Sequence, residues 1–145
     1  MTRETKVFDG MVPILAWLAT RGVRWGIVTN KATRFAAPLV ASLGLATRAA
    51  TLVCGDTVAH SKPHPAPLLE AARRLGVLPR GCAYVGDDRR DVDAGRAAGM
   101  LTVVAAWGYL GDGDAPQAWG ADHLVARPDE LPRLIVGGLK PAPVP

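Results

Sequence analysis

A chain of 145 residues, 49% hydrophobic and 21% charged, has the composition of a single globular domain and not of a disordered segment. Its formal net charge is +4, carried by dispersed basic residues such as Arg3, Arg24, Arg48 and Arg80. No run of like charges or basic stripe interleaved with aromatics appears, so a nucleic-acid partner is not expected. The longest apolar run, 11–19, is too short to span a bilayer, and no signal-peptide cleavage pattern follows the polar amino terminus. Cys54 and Cys82 sit singly in apolar runs, as reduced buried thiols do. The expected protein is cytoplasmic, with no membrane partner.

In chain order, residues 1–10 pass from polar to briefly apolar. A helix is expected over 12–21, with Pro13 in its first turn and Gly22 as its stop. The run 23–29, VRWGIVT, reads as a buried strand. A second helix carries Phe35, Leu39 and Leu43 at four-residue spacing and stops at Gly44; Pro38 places the start of regular helix close to itself. A short strand over 51–54 leads into a loop, 55–67, that contains Ser61-Lys62-Pro63-His64-Pro65. A third helix, with Leu68, Leu69, Ala72 and Leu75, stops at Gly76. A strand over 82–85, an acidic turn, and a helix closing at Gly99 follow. Strand 101–106, a Gly- and Asp-rich loop, strand 122–126 and a helix over 128–136 complete the core. Alternating strands and helices predict a parallel sheet with helices on both faces. One domain is expected over 1–137, with a Pro-rich tail over 138–145.

The stretch Tyr84-Val85-Gly86-Asp87-Asp88-Arg89-Arg90-Asp91 places three carboxylates where a strand opens into a helix. Ligands bind at such carboxyl ends in open α/β sheets. Two readings stand side by side. Crowded carboxylates suit a hard cation such as Mg²⁺, and Asp88 alone suits a helix N-cap in a solvated loop. Two further strand ends carry polar groups. Thr29-Asn30 offers a hydroxyl, an amide and backbone N–H groups, and Lys62 offers a positive charge. Donors, a cation and a metal cluster together are what phosphoryl transfer needs. Each piece alone has a plainer reading: a turn former at Thr29-Asn30, a solvated Lys62, and solvated loop histidines at His60 and His64.

Taken in order, Ile27–Asn30 (IVTN), Ser61–Pro65 (SKPHP) and Tyr84–Met100 (YVGDDRRDVDAGRAAGM) resemble the second, third and fourth motifs of the haloacid dehalogenase-like phosphatases. FDGM at 8–11, TNKATRFAAPLVASLGL at 29–45 and WGY at 107–109 are most similar to the phosphoglycolate phosphatases and the related N-acetylmuramic acid 6-phosphate phosphatases. The resemblance implies an α/β, Rossmann-like core and a Mg²⁺-dependent phosphomonoester hydrolase acting on a small phosphorylated metabolite. It implies that Thr29 and Asn30 bind the phosphoryl group and that Lys62 neutralises it and orients the nucleophile. It implies that Asp87 binds Mg²⁺ directly, that Asp91 behind it holds a metal-bound water or Lys62, with Asp88 as a second candidate, and that Gly86 allows close backbone approach.

One departure matters. The family's first motif, DxDGT, supplies the nucleophilic Asp and the general acid/base Asp, and it is absent. Phe8-Asp9-Gly10 imitates it, but Val7 stands two residues before Asp9 and Met11 follows Gly10. The resemblance therefore implies a core without the family's first, central strand and without its cap. Without a nucleophile no aspartyl-phosphate forms, and Asp87 alone holds Mg²⁺ poorly. The expected chain is an enzyme core inactive by itself; the alternative is a non-catalytic phosphate-binding or regulatory remnant. Strands left without a shared partner raise self-association through their edges. A receiver-type phospho-acceptor domain fits less well, because its acidic pair is expected after the first strand, and nothing favours a dehalogenase over a phosphatase.

Overall fold

The computed structural model of the protein describes residues 11–108 and 113–138. Asp9, Tyr109 and the tail beyond Gly138 lie outside the described residues. The elements are α1 (Met11–Thr20), β1 (Gly26–Val28), α2 (Thr33–Ser42), β2 (Thr51–Val53), α3 (Ala66–Leu75), β3 (Ala83–Gly86), α4 (Arg89–Ala98), β4 (Leu101–Ala105), β5 (His123–Val125) and α5 (Leu131–Gly138).

The expected alternation is present, and every strand pair is parallel. Helices stop where their glycines predict. Gly76 and Gly99 adopt left-handed φ values of 68° and 81°, and the next N–H groups, of Val77 and Met100, bond back to Ala72 and Gly95. That closure needs a residue without a Cβ penalty at positive φ.

Two boundaries differ from expectation. Strand β1 is three residues long, not seven, because Gly22 and Val23 are engaged in closing α1, with the Val23 N–H bonded to the Leu18 carbonyl at 2.9 Å. Helix α2 begins at Thr33, five residues before Pro38. Its start is set from a distant loop: the Asp56 carboxylate accepts from the Thr33 N–H at 2.9 Å and from its hydroxyl at 2.6 Å. A cap supplied across 23 residues satisfies an orphan donor of the first turn and outweighs the one hydrogen bond that Pro38 removes.

The parallel sheet is divided. One part holds β1 and β2, with Gly26, Ile27 and Val28 opposite Thr51, Leu52 and Val53. The other holds β3, β4 and β5 in that order. Among the described residues β1 and β3 share no ladder, so each has one unpaired edge. Packing joins the parts on both faces. Ile27, Leu52, Val85, Val103 and Val125 point into one core, under Ile14, Leu15 and Leu18 of α1, Val40 of α2 and Leu131 of α5. On the other face Leu68 and Ala72 of α3 and Ala94 and Ala98 of α4 form a buried cluster, against which Val28 of β1 and Tyr84 of β3 both pack. The period-2 alternation of each strand feeds these two layers. Leu68 is 1% exposed and sits where α3 and α4 straddle the divide. Leu68→Ala is expected to cost about 2–5 kcal/mol of stability, measured by chemical denaturation.

Candidate functional site

The turn after β1 is tied to the end of β2. The Thr29 N–H donates to the Val53 carbonyl at 2.9 Å, and the Gly55 N–H donates to the Lys31 carbonyl at 2.7 Å. At Gly55 the two chain segments approach so closely that a Cβ would overlap the Asn30 carbonyl oxygen. The Thr29 hydroxyl accepts from the Lys31 N–H at 3.1 Å. From this turn the Asn30 side chain reaches the loop after β2. Its Nδ2 donates to the Lys62 carbonyl and its Oδ1 accepts from the Lys62 N–H, both at 3.0 Å.

Held there, Lys62 extends its side chain across the divide between the two parts of the sheet. Its ammonium donates to the Asp91 carboxylate at 2.7 Å, to the Tyr84 hydroxyl at 2.8 Å and to the Val28 carbonyl at 3.3 Å. An ammonium has three donors, and these three acceptors match them. The Lys62 and Asp91 side chains are each 10% exposed. The Tyr84 hydroxyl in turn donates to the Val28 carbonyl at 3.2 Å. Burial, and then the Asp91 charge, push the Tyr84 phenol well above its ordinary pKa, so it stays a donor.

Asp91 is the hub of the β3–α4 turn. Its Oδ1 takes Lys62, and its Oδ2 accepts from the N–H groups of Asp87 and Asp88, each at 3.2 Å. Gly86 is required by this carboxylate, because a Cβ at Gly86 would overlap the Asp91 side chain. Asp88 is turned the other way. It caps α4 through the Arg90 N–H at 2.8 Å and pairs with the Arg90 guanidinium, whose hydrogen bonds hold its carboxyl below the usual range. Asp87 forms no ion pair among the described residues. Partial desolvation, and then the negative Asp91 beside it, raise its pKa above the ordinary carboxylate value.

These groups surround an open cleft of about 320 Å³ lined by Val28, Lys62, Tyr84, Gly86, Asp87, Asp91 and Trp107, among others. Of the residues singled out from sequence, Lys62, Asp87 and Asp91 meet in the cleft. Thr29 and Asn30 stand beside it, and Asp88 faces away. His60 and His64 stack on one another at 4.5 Å, exposed to solvent and outside the lining. Tyr84 as a site residue escaped the sequence reading, although a lone phenol inside a strand has to find a polar partner when buried. Lys62 against Asp87 and Asp91 leaves the cleft one negative charge in excess. Asp87 is its one carboxylate not already engaged, and no group of three or more His, Cys, Asp or Glu side chains converges among the described residues. Mg²⁺ asks for a nearly complete octahedron of oxygens, so these residues by themselves do not make its site.

Comparison with known proteins agrees with this geometry. Residues 1–99 match the haloacid dehalogenase-like hydrolases as a family. A phosphoglycolate phosphatase of Xylella fastidiosa is 50% identical over 134 residues, covering 88% of this chain and 58% of the relative. An N-acetylmuramic acid 6-phosphate phosphatase of Pseudomonas putida is 44% identical over 136 residues, covering 94% of this chain and 61% of the relative. The crystal structure of a haloacid dehalogenase-like phosphatase from Thermococcus onnurineus superimposes with a TM-score of 0.78 at 30% identity, covering 93% of this chain and 60% of that one. The chain thus spans about three fifths of the length of these relatives. Three motifs in order, a parallel α/β core and a cleft at its strand ends have one common explanation: the chain belongs to the haloacid dehalogenase-like hydrolase family.

Proposed function

We propose that the chain is the core portion of a phosphomonoester hydrolase for a small phosphorylated metabolite, of the class named by its relatives, and that it does not turn over substrate alone. One observation carries the reading. The Lys62 ammonium is held at a single point of the cleft, between the carboxyl ends of β1 and β3, by Asp91 and Tyr84. A fixed cation there offsets the charge of a phosphoryl group. The Thr29 hydroxyl, whose oxygen already accepts from Lys31, has its proton to donate to a phosphoryl oxygen. Asp91 holds the Lys62 ammonium in place at 2.7 Å. Asp87 contributes one oxygen ligand for Mg²⁺; the remaining ligands and the attacking carboxylate come from outside the described residues. Asp88 acts only through the start of α4. Each of β1 and β3 has one unpaired edge among the described residues, and the proposal includes self-association through these edges.

The purified 145-residue chain is expected to hydrolyse phosphoglycolate or p-nitrophenyl phosphate no faster than its Lys62→Met variant, with or without Mg²⁺. Co-expression with the part of the Xylella relative that this chain does not match is expected to give a complex with Mg²⁺-dependent turnover that Lys62→Met abolishes. A complex that forms and stays inactive would instead favour the second reading, a non-catalytic phosphate-binding remnant.

The raised pKa of Asp87 gives a second prediction. A carboxyl whose folded pKa lies above its unfolded value favours folding most when protonated in both states, and that contribution fades as pH rises through the folded pKa. In EDTA, Asp87→Asn is expected to unfold at a higher temperature than the parent at pH 7. The difference is expected to vanish below about pH 4, the ordinary carboxylate range. A thermal midpoint at pH 7 that falls on substitution would contradict it.

A further inference from the structure

Lys62 lies in a stretch between β2 and α3 that has neither helix nor strand, yet its ammonium meets three acceptors at once. A long, rotamer-rich side chain does that only when its main chain is fixed. The main chain of Lys62 is fixed by Asn30, 32 residues earlier: one carboxamide donates to its carbonyl and accepts from its N–H, both at 3.0 Å. This is the hydrogen-bonding pattern of a neighbouring strand, supplied by a side chain. Asn30 is itself immobilised, because the Lys31 carbonyl takes the Gly55 N–H and the Asn30 carbonyl leaves no room for a Cβ at Gly55. The cleft is lined by Lys62 and not by Asn30.

We infer that Asn30 is a positioning residue: its carboxamide serves the site by locking the main chain of Lys62 to the end of β1, and not by contacting phosphate. The inference rests on the reading of the cleft as a phosphate site, so its test has two arms. In the first, amide hydrogen exchange is followed in the 145-residue chain. Asn30→Ala is expected to remove the protection of the Lys62 N–H while that of the β3–β4 ladder persists; unchanged protection at Lys62 overturns the inference. In the second, inorganic phosphate is titrated into the wild type, Asn30→Ala, Lys62→Met and the double variant, with binding read from backbone amide NMR shifts. Each single substitution is expected to weaken binding about tenfold or more, the scale of hydrogen bonds to charged groups. The double variant is expected to bind no more weakly than Lys62→Met, because the Asn30 effect passes through Lys62. Additive losses overturn the inference and make Asn30 a direct ligand. Phosphate binding indifferent to Lys62→Met overturns the phosphate-site reading, while the exchange arm still decides the lock. Asn30→Ser, too short to span both Lys62 groups, serves both arms if Asn30→Ala does not fold, with the same outcomes.

Discussion

The contact between the Lys62 ammonium and the Asp91 carboxylate, 2.7 Å long with both side chains 10% exposed, is what the rest of the site depends on. Pairs removed from water repay their desolvation only when the remaining donors and acceptors are satisfied. Here they are. Lys62 has Tyr84 and Val28 as its other acceptors, and Asp91 has the Asp87 and Asp88 N–H groups on its second oxygen. No buried side-chain nitrogen or oxygen among the described residues lacks a hydrogen-bond partner. The pair also carries an architectural duty, since the sheet is divided beneath it. Side-chain hydrogen bonds and two apolar layers connect β1 to β3 where no ladder does.

That arrangement accounts for the electrostatics of the cleft. Asp91 is committed to Lys62 and to the turn, and Asp88 to Arg90, which leaves Asp87 as the carboxylate open to a further partner. Its raised pKa registers a charge placed in protein surroundings without a cation of its own. The one excess negative charge of the cleft weakens its attraction for an anion, and added positive charge strengthens it. The physical state of the site is therefore that of a fully engaged cation, Lys62, beside an under-compensated carboxylate, Asp87.

Parts of this were legible in the sequence because they are local. Gly76 and Gly99 announce helix ends through the conformation that only glycine adopts cheaply. The strand ending at Gly86 and the carboxylates after it are within a few residues of one another, so their meeting at one turn follows from chain connectivity. Asp88 as an N-cap is likewise a short-range hydrogen bond. Other parts were not legible because their partners are distant. Asp56 sets the start of α2 from another loop. Asn30, on sequence grounds a phosphate-facing turn residue, has its carboxamide on the Lys62 main chain. Tyr84 reads as a strand aromatic until its hydroxyl is seen to bridge Lys62 and Val28.

By itself, then, the sequence determined the parallel α/β class, the order of its elements and the identity of the charged groups, since periodicity, glycine stops and motif order are encoded over short spans. The tertiary structure decided that Lys62 is the partner Asp91 takes, of the two that the resemblance offered it, and that β1 and β3 share no ladder among the described residues. Those outcomes depend on contacts between residues 22 to 56 positions apart, and the competition among several similar carboxylates for one ammonium is settled by distance and burial, not by their order along the chain.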